Sequence, residues 1–305
     1  MSISKVNMVL ASADVMEGPQ TKLTRQFTPA EWTALNEMKN LLPSIFEEAF
    51  PDNEKARIAP VTIWGVSVAP DCLDARSSVV LMHFLRAKKL KVEAARTMLL
   101  DTLRWRAEFA PEEAAKEPVD EAVFGKAAQM YGKDNEGRPV LYNIVGREVD
   151  FAKLFADTTK WIRWRVGLTE RACLLLDFEN VDELIHVYDL ARSPSQSPEC
   201  KQAIGEAGRI FRTHYPLLGF KAFGVNVVLP GLIRTICWFM RPFYPDRTLN
   251  KAIFIGGGPK AIGATLLRFI PASELPKPYG GTAEPKWATG PEWEDNRILR
   301  SARAK

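Results

Sequence analysis

His186 and Tyr188, in the segment LIHVYDL (184–190), are the residues whose types and spacing most directly suggest chemistry. The segment reads as a β-strand, and side chains two apart on a strand share a face, roughly 6 to 7 Å from one another. An imidazole and a phenol placed this way can serve one ligand or one metal ion. They can equally be half-buried polar groups satisfied by their neighbours. The residues alone leave both readings open.

Common catalytic signatures are missing around this pair. The chain has no G-x-S-x-G, no H-E-x-x-H and no G-x-x-x-x-G-K-[ST], which argues against the common hydrolase, zincin and nucleotide-binding mechanisms. The run Gly256-Gly257-Gly258-Pro259-Lys260-Ala261 is a loose G-x-G-x-x-A. Too little patterned chain follows it for a dinucleotide-binding half, so it reads as a strand-to-helix turn. Three scattered histidines, His83, His186 and His214, do not suggest a multi-histidine metal site. Cys72, Cys173, Cys200 and Cys237 form no C-x-x-C pair, and a reducing cytosol suits this cysteine usage.

The elements that must hold the pair follow from pattern and composition. With 305 residues, 46% of them hydrophobic, the chain can bury a sizeable core as one large domain or two ordinary ones. Thr28-Pro29-Ala30-Glu31 is a capping box with proline at the first helical position, so a helix is predicted from there to about Glu48. Ala75 to Lys88 and Val92 to Phe109 read as further helices, separated from the first by a connector, APVTIWGVSVAPD. From Gln129 onward strands and helices alternate, which predicts an α/β layer architecture. Strands are predicted near 130–131, 140–145, 184–189, 223–228 and 251–255, and helices near 158–177, 198–213, 231–241 and 260–269. Residues 1–25 read as a disordered leader and 284–305 as a polar tail.

Membrane contact, where it occurs, is expected to be peripheral. The most apolar region, 222–240, is interrupted by Pro230 and carries Arg234, short of the roughly 20 apolar residues a span needs. In the helix expected over 231–244, Leu232, Ile236, Phe239 and Phe243 form an apolar stripe flanked by Arg234 and Arg241. Such a stripe suits a lipid headgroup layer, and it also suits an ordinary core-facing helix. The formal charge of +4 is below the excess of a dedicated nucleic-acid binder, so no nucleic-acid partner is expected.

Five segments, FLRAKKLKVEAARTMLLDTLRWR (84–106), YGKDNEGRPVLYNIVG (131–146), HYPLLGFKAFGVNVV (214–228), RTLNKAIFI (247–255) and ELPKPYGG (274–281), follow one another as in the CRAL-TRIO lipid-transfer family. The chain resembles that family over about 75–283. The resemblance implies a helical N-terminal lobe (26–118) and an α/β lobe (119–283) whose mixed sheet floors an apolar pocket, with helix 231–244 as its gate. It also implies a non-enzymatic carrier of phosphatidylinositol at membrane surfaces, cytoplasmic and peripheral to the endoplasmic reticulum or other membranes.

Within the family, WIRWRVGLTERACLLLDF (161–178) followed by H-x-Y is similar to a fungal phosphatidylinositol-transfer branch that also binds haem b. By that resemblance Tyr188 is the iron ligand, His186 stands beside it, and Arg165 and Lys221 contact the haem. Two pocket tyrosines of the branch are replaced, by Lys88 and Val145. For a lipid headgroup the resemblance implies Lys88, Thr248 and Lys251, with Leu217 where a glutamate would be expected. Lysine supplies a point charge to a phosphate where arginine supplies a bidentate fork.

Overall fold

The computed structural model describes residues 19–144, 150–191, 197–227 and 251–289. The expected gate helix, with Leu232, Ile236, Phe239 and Phe243, lies outside these residues, as do Thr248 and Val145. Two units separate by their internal contacts: one of residues 1–114, 176–182 and 207–218, the other of 115–175, 183–206 and 219–305.

The first unit is mainly helical. Its leading helix, Pro29–Ala49, starts at the predicted capping box: the Glu31 N–H donates to Thr28 Oγ1 at 3.2 Å, and the Thr28 N–H donates to Glu31 Oε2 at 2.9 Å. Leu35, Met38, Ile45 and Phe46 recur at helical spacing on its buried face. Helices Ala75–Ala87 and Val92–Phe109 occupy their predicted spans. The connector between the first and second of these helices is more ordered than its Pro and Gly content suggests. It contains a hairpin of β1 (Val61–Ile63) and β2 (Val66–Val68). Trp64 and Gly65 form its two-residue turn with φ of 54° and 83°, the positive pair that hairpin twist favours. Trp64 is buried and stacks on Phe84 with ring centroids 5.7 Å apart. Part of the expected leader also belongs to this unit, since the Leu23 N–H donates to the Glu179 carbonyl at 3.1 Å and Thr24 is fully buried.

The second unit is α/β. Five strands among its described residues, β3 (Ala128–Lys133), β4 (Pro139–Ile144), β5 (Leu184–Asp189), β6 (Gly219–Val225) and β7 (Ala252–Phe254), lie side by side in chain order. β3 runs antiparallel to β4, and the remaining pairs are parallel. This is the mixed sheet that the family resemblance implies. β6 begins at Gly219, four residues ahead of the predicted start. One sheet face is closed by a core that includes Tyr142, Ile185, Val187, Phe223, Ile262, Leu266 and Tyr279. Two of those residues come from the helix Pro259–Leu266, which the glycine run launches through Gly258 at φ 99°. The stretch read as a polar tail also joins in: Trp287 packs with its ring centroid 5.2 Å from that of Tyr142.

Candidate functional site

The sequence of β5 sorts its side chains by face. Ile185, Val187 and Asp189 point into the closed core and are buried, whereas His186 and Tyr188 point the other way and keep part of their surface. The strand register extends this second face across the sheet. His186 pairs with Leu141 and Ala222, and Tyr188 pairs with Asn143 and Gly224. Ala252 and Phe254 continue the two rows on β7. Ala222, Ala252 and Phe254 are likewise only partly covered, so part of this face is an apolar floor with open surface, whereas on the opposite face Tyr142, Ile185, Val187, Phe223 and Val225 are buried and Lys221 and Ile253 keep some surface. Gly224 fits that floor by lacking a side chain, because a Cβ there would lie 2.7 Å from the Phe254 ring.

The two rings of the H-x-Y pair lie as the strand period predicts, 6.0 Å between centroids and 17° between planes. Protein surrounds the imidazole although it retains accessible surface. Burial, and then the charge of Arg165, push its pKa down to about 3, so the ring is neutral at physiological pH. Its Nδ1 is covered and has no hydrogen-bond partner. Arg165 sits on the helix Thr158–Cys173, in electrostatic range of both rings; burial lowers its pKa and Tyr188 acts in the opposite direction. That helix starts at Asp157, whose carboxylate accepts from the Lys160 N–H at 2.9 Å. It is anchored by the Arg163–Glu117 and Lys160–Asp120 ion pairs at 2.7 and 2.8 Å. Trp164 stacks on Phe124 and Trp161 packs on Phe155, so both tryptophans of the segment are structural.

Lys221 does not join this group. A bulge between Leu184 and Ile185 gives β6 an extra residue, so that Leu184 pairs with Gly219 but Ile185 with Lys221. One extra residue inverts every later side chain. Lys221 therefore shares the face of Ile185, and its ammonium lies 5.3 Å from the Phe220 centroid and 5.4 Å from that of Phe269. The pairing that would have set Lys221 opposite His186 is removed by this bulge.

The headgroup residues are distributed as follows. Lys88 is the exposed C-terminal cap of the Ala75–Ala87 helix in the first unit. Leu217, also in that unit, offers no carboxylate. Lys251 directly precedes β7 in the second unit, where it donates to Glu183 Oε1 at 3.0 Å and to the Gly219 carbonyl oxygen. Glu183 has no motif of its own in the sequence; only the strand pairing reveals its partner. Among the described residues no three His, Cys, Asp or Glu side chains cluster to hold a metal ion, and no helix is long and apolar enough to cross a membrane.

Known proteins resemble this chain in sequence and in fold. Patellin-3 of Arabidopsis thaliana is 32% identical over 292 residues, covering 91% of this chain and 56% of the patellin. Patellin-6 of the same plant is 31% identical, covering 91% of this chain and 65% of its own length. The chain thus spans between half and two thirds of these two relatives. The phosphatidylinositol transfer protein SFH5 of Kluyveromyces lactis is 29% identical, covering 72% of this chain and 75% of that protein. The crystal structure of Sfh5 superposes with a TM-score of 0.65 at 20% identity, over 91% of this chain and 98% of the other, which establishes the fold. The family model described as the CRAL/TRIO domain matches residues 124–281. These residues include the five strands described for the second unit's sheet, and the chain belongs to the CRAL/TRIO domain family.

Proposed function

We propose that this protein is a carrier, without catalysis of its own, that binds one phosphatidylinositol molecule and moves it between membrane surfaces in support of phosphoinositide homeostasis. The observation that carries the reading is the asymmetry of the sheet: one face is mostly packed, and the other carries an apolar floor in which Ala222, Ala252 and Phe254 keep accessible surface beside the buried Leu141. Acyl chains are the complement of such a floor. Lys251, at the end of the sheet where β5, β6 and β7 begin, offers a cation to the phosphate. The phosphatidylinositol transfer proteins among the relatives support the same ligand. The protein then works in the cytoplasm, in peripheral contact with the endoplasmic reticulum or other membranes. Lys251→Ala should abolish phosphatidylinositol transfer between vesicles while the thermal midpoint stays close to wild type, and unchanged transfer would contradict the headgroup role.

A second reading is favoured by the unpartnered Nδ1 of His186 beside the phenol of Tyr188. Haem b, when bound, supplies a ferric iron for which a phenolate is a suitable ligand. Tyr188 would hold the iron, His186 would stand beside that ligand, and Arg165 would face an anionic propionate. Lys221, on the far side of the sheet, would take no part. Purified protein expressed with ample haem should then show a Soret band that Tyr188→Phe removes and Lys221→Ala leaves in place. No band after added haem would end this reading.

A further inference from the structure

Three parallel strands begin around one ammonium group. Lys251 precedes β7, Glu183 precedes β5, and Gly219 opens β6. The Lys251 ammonium donates to the Glu183 carboxylate at 3.0 Å and to the Gly219 carbonyl oxygen. Both side chains remain accessible, at 26% and 24% of their surface, so the pair is neither sealed in the core nor loose on the outside. An ammonium has three donors and an ionised carboxylate only accepts. Two donors of Lys251 are used within the protein, which leaves one for an incoming oxygen. Glu183 uses one oxygen on Lys251 and has acceptor capacity to spare.

A site with this make-up selects by chemistry. A phosphodiester oxygen can take the remaining ammonium donor, and hydroxyl groups next to it can donate to the carboxylate. A choline headgroup has no hydroxyl to donate. A phosphatidate carries more negative charge and no ring hydroxyls, so the same carboxylate disfavours it. We infer that Glu183 is a specificity-determining residue, accepting hydrogen bonds from the ring hydroxyls of a polyol phosphodiester while Lys251 holds its phosphate. This rests on the phosphatidylinositol reading and adds to it the carboxylate that Leu217 does not supply.

Glu183→Gln tests the assignment, since it keeps size and a hydrogen bond to Lys251 but loses the charge. Transfer would be measured from phosphatidylcholine vesicles carrying labelled phosphatidylinositol and, separately, labelled phosphatidate. The expected result is about a tenfold loss of phosphatidylinositol transfer, with phosphatidate transfer rising above wild type. A parallel fall for both lipids would mean that Glu183 only positions Lys251, and no change for either would mean that it does nothing at the headgroup; each overturns the inference. A wild-type protein that moves no phosphatidylinositol would instead remove the underlying reading. Should the glutamine variant fail to fold, Glu183→Asp decides: phosphatidylinositol transfer falls with phosphatidate still excluded, and unaltered transfer of both overturns the inference.

Discussion

His83 and Asp182 are 99 residues apart in sequence, and in the fold His83 Nε2 lies 3.1 Å from Asp182 Oδ2. The other ring nitrogen, Nδ1, lies 3.1 Å from the Pro216 carbonyl oxygen. One buried ring of the first unit thus ties the helix Ala75–Ala87 to two later segments of the chain. Burial pushes the Asp182 carboxyl up, but the hydrogen bond and electrostatic pull of His83, together with the Arg86 guanidinium, outweigh it and hold it below the ordinary 3.8.

A depressed carboxyl stabilises the fold above its unfolded pKa and loses that contribution as pH falls through its folded value. Asp182→Asn should therefore cost about 1–3 kcal/mol at neutral pH. The difference from wild type should narrow as the pH is taken below 3.8. Denaturant midpoints of the two proteins across that range measure it. A pH-independent difference would mean that the carboxylate charge is not what stabilises.

His186 gives a dependence in a different window. Its unfolded ring takes a proton below 6.5 and its folded ring only near 3, so the unfolded state gains stability as the pH falls between those values. Between pH 7 and pH 5 the wild type should lose about 2 kcal/mol through this residue alone. His186→Gln should lose correspondingly less over the same interval. Equal losses would show that the ring titrates freely in the folded protein.

What could be read from the sequence was local or periodic. The Thr28–Glu31 capping box spans one helical turn, and the shared face of His186 and Tyr188 needs only the two-residue period of a strand. Lys221 comes from the resemblance and lies ahead of the predicted strand; in the structure it is inside β6 on the face of Ile185, because of a bulge that the sequence of β6 does not mark. Glu183 went unnoticed because its partner is 68 residues away, brought close only when β5, β6 and β7 align. The hairpin at 61–68 did have a signal: Val-Thr-Ile and Val-Ser-Val alternate around Trp64-Gly65.

Trp287 shows how composition misleads near a chain end. Its neighbours are polar, yet its ring packs on Tyr142 and stands 6.3 Å from that of Tyr131, covering the closed face of the sheet. Trp287→Ala should cost about 2–3 kcal/mol, seen as a lower thermal midpoint. A midpoint equal to wild type would mean that this segment adds nothing to the core.

The most direct test of the central claim is to identify the lipid the protein takes from a membrane. The purified full chain would be incubated with vesicles of mixed phospholipids, separated from them, and its bound lipid extracted and quantified. The account predicts phosphatidylinositol enriched over its share in the vesicles and approaching one molecule per chain. Protein recovered without lipid, or with phospholipids in the proportions of the vesicles, would contradict it.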